Sequence, residues 1–339
     1  MVRKTVTAFL IAIFLSIGAA AQLPAQDASA KAATFDERLG ADDGAAFAIL
    51  FGANMRGNID VCDCNNPRGG IARRIGYVEG FKKKFKNTPV ITVDAGFFFY
   101  NSTDYTPHSM LMNSQVARAY SRWPVDVINL GRFDIIYAQK LLAREGLAER
   151  TEQLPMIKNI ISANGVFGED VAAPAPYIIK EVTGPRITGK KRKLRIGFVG
   201  LAEPIHPGAG LGDAMVTDMF VAARRTVPKL RKECDLVVIV AHSEMAAAMQ
   251  LANENPEADI IIAGNAEGLF KPRQVGSTLI VSAAPGNTQQ GDLRVYMDKE
   301  GRFSFKFRST DLDEAVPSDP AALAFADAAR RERETARQH

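Results

Sequence analysis

Two cysteines one residue apart, Cys62 and Cys64 in Val61-Cys-Asp-Cys-Asn-Asn-Pro67, are the most reactive groups the sequence offers. A Cys-x-Cys pair on one loop suits a structural disulfide, a redox-active disulfide or a thiolate site for a soft ion, and all three stay open. Cys234 stands at the entry to an apolar run and reads as a buried small hydrophobe. His242 ends the run Val238-Ile-Val-Ala-His242, where an imidazole could ligate a cation or move a proton. With Glu267, and with Asn54 and Asp94 nearby, it could form a single-metal site. Arg56 and Arg132 follow strand-like runs and carry fixed positive charge suited to phosphate or carboxylate. Asp94 and Asp134 are possible general bases, but short loop carboxylates more often bond neighbouring backbone amides. His108 and His206 lie in proline-flanked loops. Gly208-Ala-Gly-Leu-Gly212 looks like a phosphate loop but lacks the Lys-Ser/Thr ending.

Elements must bring these residues together. Short β-branched runs alternate with helical patterns, which predicts parallel strands joined by crossover helices. Strands are expected at Ala46 to Phe51, Val90 to Val93, Asp126 to Leu130, Ile160 to Ala163, Leu194 to Gly200, Leu236 to Ala241 and Asp259 to Ala263. Helices are expected at Ala72 to Phe85, Leu111 to Trp123, Tyr137 to Arg144, Phe220 to Lys232 and Met245 to Asn253. After Gly264 the pattern changes: Ser277 to Ala283, Asp292 to Asp298 and Arg302 to Arg308 read as an antiparallel closing set, with a hairpin turn at Asp298-Lys-Glu-Gly301. In open α/β sheets ligands sit beyond the carboxyl ends of the strands, so the loops carrying Asn54, Arg56, Phe97, Arg132, His242, Asn265 and Glu267 form the expected site.

The chain has 339 residues, 47% of them hydrophobic and 24% charged, which excludes disordered, collagenous and coiled-coil classes. Arg3 and Lys4, the apolar run Ala8 to Ile17 and the small residues through Ala21 read as a cleavable signal peptide, too short to span a membrane. The predicted organisation is residues 1–21 signal, 22–45 a loose leader, 46–308 one domain, and 309–339 a tail with a surface helix that frays. Removing the signal lowers the net charge from +4 to +2, which speaks against nucleic-acid and membrane partners. The basic runs Lys82 to Lys86 and Lys190 to Lys193 read as solvated surface. Three cysteines exclude a disulfide scaffold, and export places the close pair in an oxidising compartment.

The order of loops resembles the metallophosphatase (calcineurin-like phosphoesterase) superfamily, in particular the catalytic domain of exported 5′-nucleotidases and UDP-sugar hydrolases. The residues that carry the resemblance are Phe47-Ala-Ile-Leu50 ending at Gly57, Gly69-Gly-Ile-Ala-Arg73, Val93-Asp-Ala-Gly96, Val127-Ile-Asn-Leu-Gly131, Ser162-Ala-Asn164, Ile196-Gly-Phe-Val-Gly-Leu201, Val238-Ile-Val-Ala-His242 and Ile260-Ile-Ile-Ala-Gly264. The resemblance implies two mixed β-sheets packed face to face and flanked by helices, a four-layer α/β sandwich. It also implies phosphoester hydrolysis by two metal ions held on these loops. The ligand positions have changed: Asn54 and Arg56 replace the first loop's Asp and His, Phe97 replaces the bridging Asp, and Arg132-Phe133 replaces an Asn-His pair. His242 is kept, and Asn265 and Glu267 stand where two His are expected. The Cys-x-Cys pair resembles a bacterial subgroup of exported nucleotidase-like proteins, some with selenocysteine, which implies redox or metal chemistry. The nucleotide-binding C-terminal domain of long 5′-nucleotidases is expected to be absent. The sequence therefore predicts a periplasmic or secreted, non-hydrolytic protein with an anion-binding or thiol-redox accessory role. Its partners would be a small phosphorylated or anionic ligand and a redox protein, and no cofactor is assigned. The alternative is a phosphoesterase with a rebuilt site holding a single divalent metal.

Overall fold

A computed structural model describes residues 33–100, 106–187, 193–204, 215–266, 271–282 and 285–337. In chain order the elements are α1 (Phe35–Leu39), β1 (Phe47–Gly52), α2 (Ile71–Lys84), β2 (Val90–Asp94), α3 (Pro107–Arg122), β3 (Val127–Asn129), α4 (Asp134–Leu141), α5 (Leu147–Gln153), β4 (Ile160–Ile161), β5 (Gly165–Val166), β6 (Tyr177–Val182) and β7 (Leu194–Ala202). Then follow β8 (Met215–Val216), α6 (Met219–Glu233), β9 (Leu236–His242), α7 (Met245–Glu254), β10 (Ile260–Ala263), β11 (Arg273–Val275), β12 (Thr278–Ser282), β13 (Gln289–Met297), β14 (Phe303–Asp311) and α8 (Pro320–Ala336).

Two six-stranded sheets form, ordered β14-β13-β1-β2-β3-β4 and β11-β12-β10-β9-β7-β6, and β5 pairs with β8 alone. Both are mixed: β1 to β4 run parallel while β13 opposes β1, and β7, β9, β10 and β12 run parallel between antiparallel edges β6 and β11. Side chains alternate across each strand. Phe47, Ile49 and Phe51 of β1 therefore point between the sheets, against a core that includes Phe198, Val238 and Ile262. Ala48 and Leu50 point the other way, to Tyr77 and Phe81 of α2. The second sheet's outer face packs on Ala223, Val227 and Leu230 of α6 and on Ala248 and Leu251 of α7. Burial on both faces is why these strands read as unbroken apolar runs. The expected fold, two mixed sheets face to face with helices outside, is the fold observed.

The structure differs from the sequence reading in several places. β12 does not join an antiparallel end; it runs parallel beside β10, and only β13 and β14 close the first sheet. β6 was not predicted, because as a half-exposed edge it shows no clean alternation. α3 starts four residues early, where the Thr106 hydroxyl accepts from the Ser109 N–H and Pro107 takes the first turn.

The leader is also corrected. Thr34 and Glu37 form a reciprocal capping box for α1, Leu39 is buried, and Arg186 and Arg294 hold Asp42 and Asp43 at 2.6 and 3.2 Å. Residues 34–45 thus belong to the packed unit, and the rest of the leader and the signal segment lie outside the described residues. Similarly, the tail is packed against the domain. Leu312 and Val316 are buried, and α8 lays Ala322, Ala326 and Ala329 against α2 and α3. Small residues on that face allow close approach, while the Arg/Glu face made the segment look solvated. Of the basic runs, Lys82 and Lys84 pair with Glu79 and Asp36, and Lys193 with Glu181; residues 190–192 lie outside the described residues.

Candidate functional site

The loops at the carboxyl ends of both sheets are stitched together by backbone hydrogen bonds. Asn54 N–H donates to the Gly96 carbonyl, Arg56 N–H to Phe97 and Gly57 N–H to Phe98, each at 2.9 Å. Asn265 N–H reaches the Ser243 carbonyl at 3.2 Å. The Asn129 amide spans the two sheets, donating to the Ala95 and Leu201 carbonyls at 3.3 and 2.9 Å. Contact between loops is close enough to require glycine: a Cβ on Gly131 would stand 2.6 Å from Phe97 N, and one on Gly264 2.6 Å from the Ala95 carbonyl oxygen. Asn54, Arg56 and Phe97 hold φ of 60°, 53° and 60°. For a bulky residue such as Phe97 that left-handed conformation is costly and persists only where surrounding bonds over-determine it.

Asp134 is the bond centre that does so. Its carboxylate, fully buried, accepts from Phe97 N–H at 2.5 Å, Gly131 N–H at 2.7 Å and Phe99 N–H at 2.9 Å. Burial pushes its carboxyl up to about 8, against the pull of those donors. Asp94 is likewise buried and shapes the same loop: Oδ1 accepts from Gly96 N–H at 2.9 Å, and Oδ2 accepts from Tyr120 O–H at 2.5 Å and Arg74 at 3.1 Å. Both carboxylates are occupied by loop-shaping bonds, as the blander sequence reading expected. Arg74 escaped that reading, although its signal was present: it shares one helical face with the apolar Ile71, Ile75 and Val78.

His242 sits beneath this frame, 1% exposed, with Gly96 and Gly131 packed against it. Asn54 Nδ2 donates to the Gly264 carbonyl, so its Oδ1 faces His242 Nε2 at 3.2 Å. That orientation assigns the imidazole proton to Nε2 and leaves Nδ1, buried and unpartnered among the described residues, as a lone pair. Burial, with added repulsion from Arg132 and Arg56, holds the imidazole down to about 3, so it is neutral at physiological pH. Phe97 meets His242 edge-on at 5.7 Å and Phe133 at 4.9 Å. The two guanidiniums lie on these rings, Arg56 4.9 Å from the centre of Phe97 and Arg132 5.1 Å from that of Phe133. Among the described residues neither forms an ion pair with a carboxylate, and Arg132 Nε has no hydrogen-bond partner. Glu203 is half-buried, its carboxyl raised by burial, and its Oε2 accepts from Glu244 N–H.

The structure thus brings Asn54, Arg56, Phe97, Arg132, Phe133 and His242 together. Asn265 is on the adjoining loop, and Glu267 and His206 lie outside the described residues. Cys62 and Cys64 are elsewhere, on the loop between β1 and α2, joined as a disulfide and in contact with Asn66 and Arg68. His108 packs edge-on to Tyr100 at 5.7 Å. Cys234 is buried in the outer core of the second sheet, which raises its thiol. Among the described residues no three His, Cys, Asp or Glu side chains are grouped to hold a metal ion, and no helix is long and apolar enough to cross a membrane.

No protein-family model matches the chain. A 2′,3′-cyclic-nucleotide 2′-phosphodiesterase/3′-nucleotidase of Salmonella typhimurium is 27% identical over 228 residues, 61% of this chain and 34% of that protein. The 5′-nucleotidase precursor of Thermus thermophilus superposes with a TM-score of 0.66 at 19% identity, covering 84% of this chain and 58% of that one. Sulfate thiohydrolase SoxB of Thermus thermophilus gives 0.68 at 17% identity, covering 86% and 61%. The chain matches the metallophosphatase superfamily. Its curated relatives there include 2′,3′-cyclic-nucleotide 2′-phosphodiesterase/3′-nucleotidases, and it spans about a third of their length. Asn54, Arg56 and Phe97 lie on loops tied to one another by backbone hydrogen bonds at the carboxyl ends of the strands.

Proposed function

We propose that this chain is an exported, periplasmic member of the 5′-nucleotidase-like metallophosphatases that binds a small phosphorylated or carboxylated anion without hydrolysing it, with Cys62 and Cys64 as an accessory thiol pair. The observation that carries the reading is the pair of guanidiniums, Arg56 and Arg132, held on phenyl rings and in no ion pair among the described residues, with Arg132 attracting the half-buried Glu203 carboxyl only at longer range. A ring face positions a guanidinium without consuming its N–H donors, so both forks remain available to an anion. Two fixed cations also make the same pocket hostile to divalent metal.

The residues present do not fit a dinuclear metal centre. A phenylalanine has no lone pair to bridge two ions, a guanidinium never deprotonates to ligate one, and the single free Nδ1 lone pair of the neutral His242 cannot by itself hold two ions. Phosphate selectivity would come from the arginine forks and from the strand-end amides.

Calorimetric titration of the purified protein with phosphate, nucleotides and UDP-sugars tests the reading, paired with metal analysis and with hydrolysis of nitrophenyl phosphate mono- and diesters. Binding without turnover, lost in the Arg56→Met/Arg132→Met variant, is the expected outcome. Charge-assisted bonds are each worth about 1.5–3 kcal/mol, so each arginine should account for roughly 10- to 150-fold in affinity. Silence across the panel would remove the anion site, and metal-dependent turnover would restore the rebuilt single-metal phosphoesterase.

A further inference from the structure

We propose that the Cys62–Cys64 disulfide is a thiol-exchange centre reduced by a dithiol protein, with attack directed to Cys64 and Cys62 leaving as thiolate. The proposal rests on the accessory thiol role above and on three observations at the loop itself. First, the disulfide is not what closes the loop. Val61 pairs with Gly69 in a β-bridge, and Cys62 N–H bonds the Arg68 carbonyl at 2.9 Å. Asp60 is held by Arg330 and Arg333, Arg68 pairs with Asp311 at 2.9 Å, and Gly69 N–H reaches the Leu312 carbonyl at 2.8 Å. A cross-link between residues two apart, inside a loop already closed, removes little further chain entropy. A structural staple is redundant there.

Second, access is unequal. Cys64 is exposed and Cys62 is half-buried, so an incoming thiolate reaches Cys64 more easily. Third, the two sulfurs meet unequal hydrogen-bonding groups: both face the Asn66 carbonyl, Cys62 at 3.9 Å and Cys64 at 3.1 Å, but only Cys62 also has an N–H donor. Arg68 N–H donates to Cys62 Sγ at 3.2 Å, which stabilises negative charge on that sulfur. Cys64 Sγ faces the Asn66 carbonyl oxygen at 3.1 Å, an acceptor that favours a protonated thiol and opposes a thiolate. Leaving-group quality in exchange follows thiolate stability, so access and electrostatics select the same direction.

The step balances. A thiolate of the reductant attacks Cys64 Sγ, the Cys62–Cys64 bond breaks, and the electron pair leaves on Cys62, which takes a proton from solvent. The reductant's second thiolate then attacks its own sulfur in the mixed disulfide and releases Cys64. Two electrons pass, one disulfide is reduced and one dithiol is oxidised. The loop's ion pairs to α8 and β14 do not involve the sulfurs, so they remain available when the disulfide opens.

Reduced glutathione, a monothiol that cannot carry out the second step efficiently, traps the first. The whole protein is incubated with glutathione, quenched with acid and maleimide, and the peptide spanning residues 57–68 is sequenced by fragmentation mass spectrometry. Glutathione on Cys64 with maleimide on Cys62 should exceed the reverse arrangement by about fivefold or more. Adducts divided evenly, or concentrated on Cys62, overturn the direction of attack. A disulfide left closed by both glutathione and a Cys-x-x-Cys dithiol protein overturns the exchange role altogether. Neither result depends on whether the arginine pocket binds an anion.

Discussion

Replacing Arg74 by Met removes a buried cation while keeping most of its stem, so the loss is electrostatic rather than a cavity. Arg74 is 5% exposed and donates to Asp94 at 3.1 Å, the Tyr120 hydroxyl at 3.1 Å, the Asn287 side-chain oxygen at 3.3 Å and the Val93 carbonyl at 3.2 Å. Asp94 has no exposed surface and would be left as a buried carboxylate without its cation. Breaking a buried pair from one side costs about 3–5 kcal/mol. Tyr120 O–H and Gly96 N–H still donate to Asp94, which places the expected loss near the lower end, about 3 kcal/mol. That is a large part of an ordinary stability of about 5–15 kcal/mol. With a urea m-value of about 3 kcal/mol per molar, the unfolding midpoint should fall by about 1 M. Adding Asp94→Asn removes the orphaned charge while keeping an acceptor for Gly96, so the double variant should recover at least about 1.5 kcal/mol relative to the sum of the singles. Urea unfolding of the wild type, both singles and the double measures this. A single variant within about 1 kcal/mol of wild type, or a strictly additive double, would refute the account of how the Phe97 loop is held.

Three further outcomes are expected. His242 should titrate near its depressed value of about 3, so its imidazole carbon shifts stay those of the neutral ring through pH 5, and a midpoint near 6 would contradict its burial under Gly131. His242's depressed value gives stability that is present above pH 6.5 and lost as pH falls toward 3. Asp134, raised to about 8, gives stability that is present at acid pH and lost as pH rises through 8. The two slopes oppose each other below pH 6.5, and from 6.5 to 8 stability should fall with pH by on the order of 1 kcal/mol per unit, read from urea midpoints. Gly76→Ala should loosen the C-terminal helix, because its Cβ would meet the Pro317 carbonyl oxygen at 1.8 Å. A loss of about 1–3 kcal/mol and faster tryptic cleavage within residues 320–337 are expected, and unchanged cleavage would sink the packed-tail assignment.

The parts of this fold that the sequence made legible are those where one physical constraint dominates. Strands buried on both faces, such as β1 and β9, cannot carry polar residues without leaving them unpaired, so their apolar runs mark them. Edge strand β6 and the small-residue face of α8 answer to weaker constraints, one side solvated in each, and their patterns are diluted accordingly. Site residues divide in the same way. Arg56, Arg132, Phe97 and His242 were visible because the strand-end loops are countable along the chain. The contact of Arg56 with Phe97 was not visible, since it depends on the left-handed turns at both residues, and no spacing rule announces these.

Those turns also bear on function. A backbone bent into a costly conformation at Phe97, and held there by three N–H bonds to Asp134, is a shape that phenylalanine itself does not favour. The loop geometry is therefore imposed by Asp134, Asp94 and the glycines, independently of the side chain at the tip. A frame of this kind tolerates exchange of its tip residues, and under the proposed function guanidinium and phenyl groups at those tips, in place of carboxylate and imidazole, would attract anions rather than cations. Grafting Asp at position 97 alone should not recover metal affinity, because Arg56 and Arg132 would pair with the new carboxylate before any divalent ion could. Zinc or manganese binding by Phe97→Asp, measured by calorimetry, would show that the two arginines do not set the sign of the pocket.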